Sequence, residues 1–277
     1  MKIIGPSLLF FFMLSLLGSV SSDLSAQTGL PPAAGTRGQA LGGVGITFQD
    51  AHAAWTNPAG LASLKQVGVN LSGEQRFSLS ELQLFNLGVA VPLAGGGLGL
   101  TLNSFGYSSL RENRVSVVYG RSLGPNFRIG GEIIGFNTSV EGYDSRFAAT
   151  FGFGMQVELL PELTVGVRAF SPFRVELVPD EDLPQLLAAG LAYQPNDKIT
   201  LLAEVHQDLD LPARFRGGLE YNFSEVVDLR FGVATGPAQL SFGAGFRATP
   251  TLQIEVAASY HETLGLSPGV GIVYTGQ

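Results

Sequence analysis

Residues 146–158, RFAATFGFGMQVE, alternate almost without exception. Phe147, Ala149, Phe151, Phe153, Met155 and Val157 fall on one face of an extended chain, and Ala148, Thr150, Gly152, Gly154, Gln156 and Glu158 on the other. The division recurs at residues 214–221, where Phe215, Gly217, Leu219 and Tyr221 oppose Arg214, Arg216, Gly218 and Glu220, and again at residues 252–260. A soluble sandwich turns such an apolar face inward, whereas a membrane barrel turns it outward to lipid.

Outward from this stretch the same beat predicts fourteen strands, at 67–73, 82–92, 97–105, 114–122, 127–139, 146–158, 163–170, 185–193, 199–206, 214–221, 227–234, 240–248, 252–260 and 267–274. Tight connections (around 94–96, 124–126, 160–162, 194–198, 222–226 and 249–251) alternate with longer or more polar ones (74–81, 106–113, 140–145, 171–184, 207–213, 235–239 and 261–266). A barrel whose first and last strands both end in the periplasm places every odd-numbered connection outside, and all the long ones are odd-numbered. A sandwich has no reason to keep that parity. Aromatic residues near strand ends, among them Tyr119, Tyr193, Tyr221, Tyr260 and Tyr274, suit interfacial girdles.

Composition agrees. Charged residues make up 14% of the 277 and apolar types 45%, with 37 Gly, against roughly a quarter charged in soluble domains. Past residue 30 each apolar stretch is broken at period two or by Gly, so no segment reads as a membrane helix. A backbone in lipid then satisfies its polar groups only by closing a sheet on itself. The fold class expected is all-β, a transmembrane antiparallel β-barrel of about fourteen strands.

Residues 1–26 read as a signal peptide, with Lys2, an apolar stretch from Ile3 to Leu17 and small residues before a cleavage near Ser22 or Ala26. Residues 67–277 form the barrel. Residues 27–66 lack the beat; Asp50 can cap a short helical turn over 51–56, which Pro58 ends. Trp55 in that turn fits either an interfacial girdle or a wedge within the barrel.

The formal charge of −7, with three Lys and no basic cluster, excludes a nucleic-acid partner. The inward charges expected are Arg128, Glu132, Glu158, Arg168, Glu204, Arg214, Arg216, Glu220, Asp228, Arg230, Arg247 and Glu255. Mixed signs on neighbouring strands predict either a salt-bridged interior or a polar conduit tuned by those residues. They show no continuous apolar groove. The acidic tip Asp180, Glu181 and Asp182 lacks the spacing of a cation-binding loop. His206, near Asp208 and Asp210, has no nucleophile motif beside it and reads as an interfacial His bonded to a loop. No catalytic residue, metal site or cofactor is expected.

The segment GTRGQALGGVGITFQDAHAAWTNPAGLASL, Gly35 to Leu64, resembles the N-terminal signature of the outer-membrane PorV/PorQ family of Bacteroidetes-like bacteria, itself similar to the FadL-type channels for hydrophobic solutes. The matching residues are Ala40, Leu41, Gly42 and Gly43, then Asp50, Ala51 and Ala54 beside Trp55, then Asn57, Pro58, Ala59, Gly60 and Leu61. The resemblance implies a Gram-negative outer-membrane barrel in contact with lipid, with residues 27–66 as a plug or hatch in the lumen. It implies participation in type IX secretion, with the translocon or cargo C-terminal domains as partners, or passage of a hydrophobic ligand. The sequence reading places secretion first, with a structural scaffold as a further alternative.

Overall fold

A computed structural model describes residues 34–178, 181–209 and 211–276. The expected signal peptide, residues 27–33, Asp180 and Asp210 lie outside the described residues. Fourteen antiparallel strands close into a barrel in the order β1-β16-β15-β14-β13-β12-β11-β10-β7-β6-β5-β4-β3-β2. They are β1 (Gly68–Gln75), β2 (Gln83–Leu93), β3 (Gly96–Gly106), β4 (Leu110–Ser122), β5 (Phe127–Val140), β6 (Arg146–Leu160), β7 (Leu163–Phe170), β10 (Leu186–Asn196), β11 (Ile199–Asp208), β12 (Arg214–Asn222), β13 (Val227–Ala234), β14 (Gln239–Thr249), β15 (Leu252–His261) and β16 (Gly265–Thr275). The remaining pair, β8 (Glu176–Val178) and β9 (Glu181–Asp182), forms a hairpin in the β7–β10 connection. Pairing of β1 with β16, from Gly68 opposite Thr275 to Glu74 opposite Gly269, removes the last open edge.

All fourteen expected segments are strands. Adjacent side chains show which way the wall faces: Ile133 is 71% exposed and Ile134 is fully buried. The outward row of β6, from Phe147 to Met155, is exposed apolar surface that only lipid covers favourably. Among the described residues no helix is long and apolar enough to cross a membrane.

The contrast in connection length is weaker than the sequence implies. The β3–β4 connection spans only 107–109 and the β15–β16 connection 262–264, while the opposite end includes 123–126 and 223–226. The ladders continue past the apolar band: Arg111 and Asn113 pair with Gly106 and Ser104 although their side chains are polar. Polarity therefore marks the membrane boundary rather than the strand end.

Residues 34–66 lie within the ring as α1 (Gly35–Ala40), α2 (Ala53–Thr56) and a 3₁₀ turn over Pro58–Ser63. Asp50 Oδ1 accepts the His52 N–H at 2.8 Å, but the helical turn begins later than expected, at Ala53. The segment packs directly on wall backbone. A Cβ on Gly154 of β6 would overlap Asn57 Oδ1, and one on Gly42, which has φ +77°, would meet Val233 O of β13 at 2.7 Å. Only glycine fits the first and suits the left-handed backbone of the second.

Gly154→Ala is expected to lower unfolding stability by about 1–3 kcal/mol, because the displaced Asn57 has no free space. At Gly131 an added Cβ meets nothing closer than 3.8 Å, so Gly131→Ala should stay within about 0.5 kcal/mol of wild type. Urea unfolding in lipid vesicles measures both; equal losses would refute the packing account.

Candidate functional site

The lumen is built from two wall sectors that hold the internal segment by different chemistry. On β5–β7 the contacts are mainly neutral. Asn57 Nδ2 donates to Ile46 O at 2.8 Å and to Met155 O and Val167 O at 3.3 Å, while its Oδ1 accepts from Ala59 N. Gln156 donates to Ile46 O and Phe48 O at 2.9 and 3.0 Å. Arg168, ion-paired with Glu132, donates to Trp55 O and Thr56 O at 2.8 and 2.7 Å, and so closes the C-terminal end of α2.

Trp55 is 1% exposed, its ring against Gly88 and Gly35. The structure thus selects the wedge and corrects the girdle alternative. Leu41, Ala54, Ala59 and Leu61 are also buried, with Leu41 on Gly218 of β12 and Leu61 on Gly97 and Gly99 of β3. Pro58 meets Gly120 and Gly130, and Gly60 leaves room for Phe48 O.

On β11–β15 the contacts are ionic. Arg37 of α1 grips Glu220 with two donors, at 2.7 and 2.9 Å, and reaches Asp50 at 2.6 Å. Arg230 joins Glu220 to Glu255, each at 2.7 Å. His52 stands 3.1 Å from Asp50 and 3.7 Å from Glu255. Burial disfavours the imidazolium, but the carboxylates of Asp50 and Glu255 override it and hold the pKa up at about 9.

Beside this network Glu204 Oε1 accepts from Gly45 N and Ile46 N, both at 2.7 Å, and Arg216 donates to Gly43 O at 2.7 Å. The pair therefore clasps residues 43–46 through both backbone polarities. His206 Nε2 lies 2.7 Å from Glu204 and is buried. This corrects its reading as an interfacial residue bonded to a loop: its strand parity matches Glu204, so it points inward.

Among the other expected charges, Arg128 pairs with Glu158 at 2.9 Å and Arg247 with Asp228 at 2.8 Å, away from the internal segment, while Arg214 lines a cavity. Arg37 and His52 carry no strand-pattern signal, since they precede the beat. Arg114 does carry one, the same parity as Ser116, but sits at the expected start of its strand. It donates through Nε to Asn103 at 3.0 Å, Asn103 to Asn86 at 2.6 Å and Asn86 to Ser72 at 3.1 Å, a polar row across β4, β3, β2 and β1.

Above the internal segment the lumen divides. On the β2–β7 side Leu84, Ile134, Phe136, Ala148 and Phe170 form an apolar cluster, joined by Leu177 and Leu183 from the β7–β10 connection. Ser171, at φ +47° and with its N–H on Phe151 O, bends that connection inward. On the other side lies a cavity of about 350 Å³, floored by Thr36, Gln39, Gly42 and Gly43 and walled by β1, β2 and β12–β16. The apolar cluster is what strand-by-strand reading misses, because it joins residues from five connected segments. Among the described residues no group of His, Cys, Asp or Glu is arranged to hold a metal.

No protein-family model matches the chain, and no curated protein sequence matches it. Solved structures do share its fold. The "CymD monoaromatic hydrocarbon channel" matches with a TM-score of 0.69 at 11% identity, over 87% of this chain and 97% of that one. A Pseudomonas aeruginosa FadL homologue matches at 0.63 and 13% identity, over 88% and 97%, and the Ralstonia pickettii toluene transporter TbuX at 0.61 and 13%, again over 88% and 97%. At these identities the likeness establishes the fold alone.

Because His52 is held up at about 9 from its ordinary 6.5, its contribution to seating the segment is complete below pH 6.5 and is lost as pH rises through 9. Trp55 is the single Trp and its ring centroid lies 6.3 Å from His52. Its fluorescence is expected to titrate with a midpoint near 9 and to lose that transition in His52→Gln. A flat profile between pH 7 and 10 for wild type would refute the assignment.

Proposed function

We propose that the chain is a plugged outer-membrane channel for small hydrophobic molecules, with residues 34–66 as the stopper. The observation that carries this reading is the apolar cluster inside the lumen. A water-filled pore keeps its interior polar, yet Phe136 and Phe170 are 3% and 1% exposed on the inward face, covered by Leu177 and Leu183. Displacing the β7–β10 connection uncovers apolar surface that a hydrophobic solute covers again. The fold likeness to proteins described as monoaromatic hydrocarbon channels and toluene transporters supports the same class. The order set by sequence, secretion before transport, is thereby reversed.

Participation in type IX secretion is the second reading, supported by the Gly35–Leu64 signature. Connections such as 107–109 and 262–264 offer little surface to cargo.

Expressed in the outer membrane of a Gram-negative host that lacks such a channel, the protein is expected to raise the initial uptake of radiolabelled toluene several-fold. Phe136→Asp should return uptake to the vector level while the barrel still inserts. Vector-level uptake by a folded wild type would sink the channel, and recovery of translocon or cargo by crosslinking in native membrane would put secretion first. Planar-bilayer conductance is expected to be low for the full chain and higher for a folded variant lacking residues 28–60. Equal, low conductance from both would overturn the stopper.

A further inference from the structure

The polar row on β4, β3, β2 and β1 has a direction, and the direction is set by Arg114. A guanidinium carries N–H donors and no acceptor, so Asn103 must turn Oδ1 to Arg114 Nε, 3.0 Å away. That leaves Asn103 Nδ2 for the next strand, where Asn86 must offer Oδ1, at 2.6 Å. Asn86 then donates through Nδ2 to Ser72 Oγ at 3.1 Å. Amide orientations that are ambiguous elsewhere are fixed here by one cation at the head of the row.

Ser72 therefore accepts from the row, and its own proton is left for something outside it. The row is buried, Arg114 and Asn103 each at 2% exposure, so successive bonds polarise one another and sharpen the last hydroxyl as a donor. Ser72 lines the cavity of about 350 Å³. On the adjoining strand β16, Ser267 Oγ is in the same state, accepting the Phe77 N–H at 2.8 Å with its own proton to give. Arg214 and Arg216 add N–H donors to the lining, and the Glu74 carboxylate there faces Arg76 at 3.7 Å. Leu84, shared with the apolar cluster, supplies an apolar edge.

We propose that this cavity is a binding subsite for small molecules whose apolar body carries a hydrogen-bond-accepting oxygen, and that the Ser72 hydroxyl is the donor that selects them. As a step in transport the subsite rests on the channel reading; as a binding site it stands by itself. A bare hydrocarbon of the same shape leaves buried donors without partners and is disfavoured for that reason.

The test uses acetophenone and α-methylstyrene, which match in shape and differ by a carbonyl oxygen in place of a methylene carbon. Binding to the full chain in lipid nanodiscs, with empty discs subtracted, is expected to favour acetophenone roughly three- to tenfold. Ser72→Ala should erase the preference and Ser72→Thr should keep it. Asn86→Asp gives a second arm that leaves Ser72 in place: the carboxylate accepts from Asn103 and from Ser72 alike, which draws the hydroxyl proton out of the cavity and should also erase the preference. Equal binding of the two probes by wild type, or a preference that survives both Ser72→Ala and Asn86→Asp, overturns the proposal. Preference without cellular uptake of either probe supports the subsite and overturns the channel; uptake without preference does the reverse.

Discussion

A wall that must close in lipid encloses more space than its own side chains fill. Eight strands make a barrel that side chains can pack, and larger rings leave a lumen. Fourteen strands therefore set a second requirement, an interior occupant, and the chain supplies one from its own residues 34–66. The occupant approaches the wall closely because glycines stand where the two backbones meet, as at Gly154 beneath Asn57. The glycine content that lowers the strand propensity of the inner face is thus what lets an irregular segment sit against it.

Charge balance follows from the same enclosure. On β12–β15 the wall places Glu220 and Glu255 around a single Arg230, a local excess of negative charge in a poorly solvated interior. Arg37, His52 and Asp50, all from the internal segment and together carrying one positive charge, complete the set. Removing one member of such a buried network leaves a charge uncompensated, at a cost of roughly 3–5 kcal/mol. The opposite sector works in reverse: Arg168 of the wall meets Glu132 and spends its remaining donors on two carbonyls at the end of α2. Wall and segment are electrically incomplete apart.

The wall was legible in the sequence and the interior was not, for one physical reason. Alternation is local, so residues such as Phe151 and Gly152 reveal their opposite faces from their neighbours in the chain. It gives Glu204, Glu220 and Arg230 the inward parity, and all three are buried in the structure. It says nothing of what an inward side chain meets, because those partners are remote: Arg37 and Glu220 are separated by 183 positions. Trp55 had two open readings for that reason, and His206 was misplaced because its polar neighbours in sequence suggested a rim. Strand ends were blurred where polar residues such as Arg111 continue the ladder beyond the apolar band. The NPAG stretch could be recognised from its sequence, but its role as a backbone anchor, with Asn57 bonded to Ile46, Met155 and Val167, required the fold.

The divided outer lumen has a consequence for how a solute would pass. Its two compartments share Leu84, which belongs to the apolar cluster and also lines the cavity. An apolar body displacing Leu177 and Leu183 would thus lie next to the Ser72 and Asn86 wall without first crossing water. Below the cavity stand Thr36 and Gln39 of α1, held by the Arg37 ion pairs and by the Gln39 bond to Ser267 O at 3.0 Å. Below the apolar side stand α2 and the Asn57 anchor, tied by many neutral bonds to β5–β7. Both sets resist release, because the Arg37–Glu220 pair is largely buried and salt screens it little. Withdrawal of the six residues of α1 would extend the cavity toward the other end of the barrel, but it would take Arg37 from Glu220 and leave that buried carboxylate short of a partner, so the ionic set opposes opening there as the Asn57 anchor does on the other side.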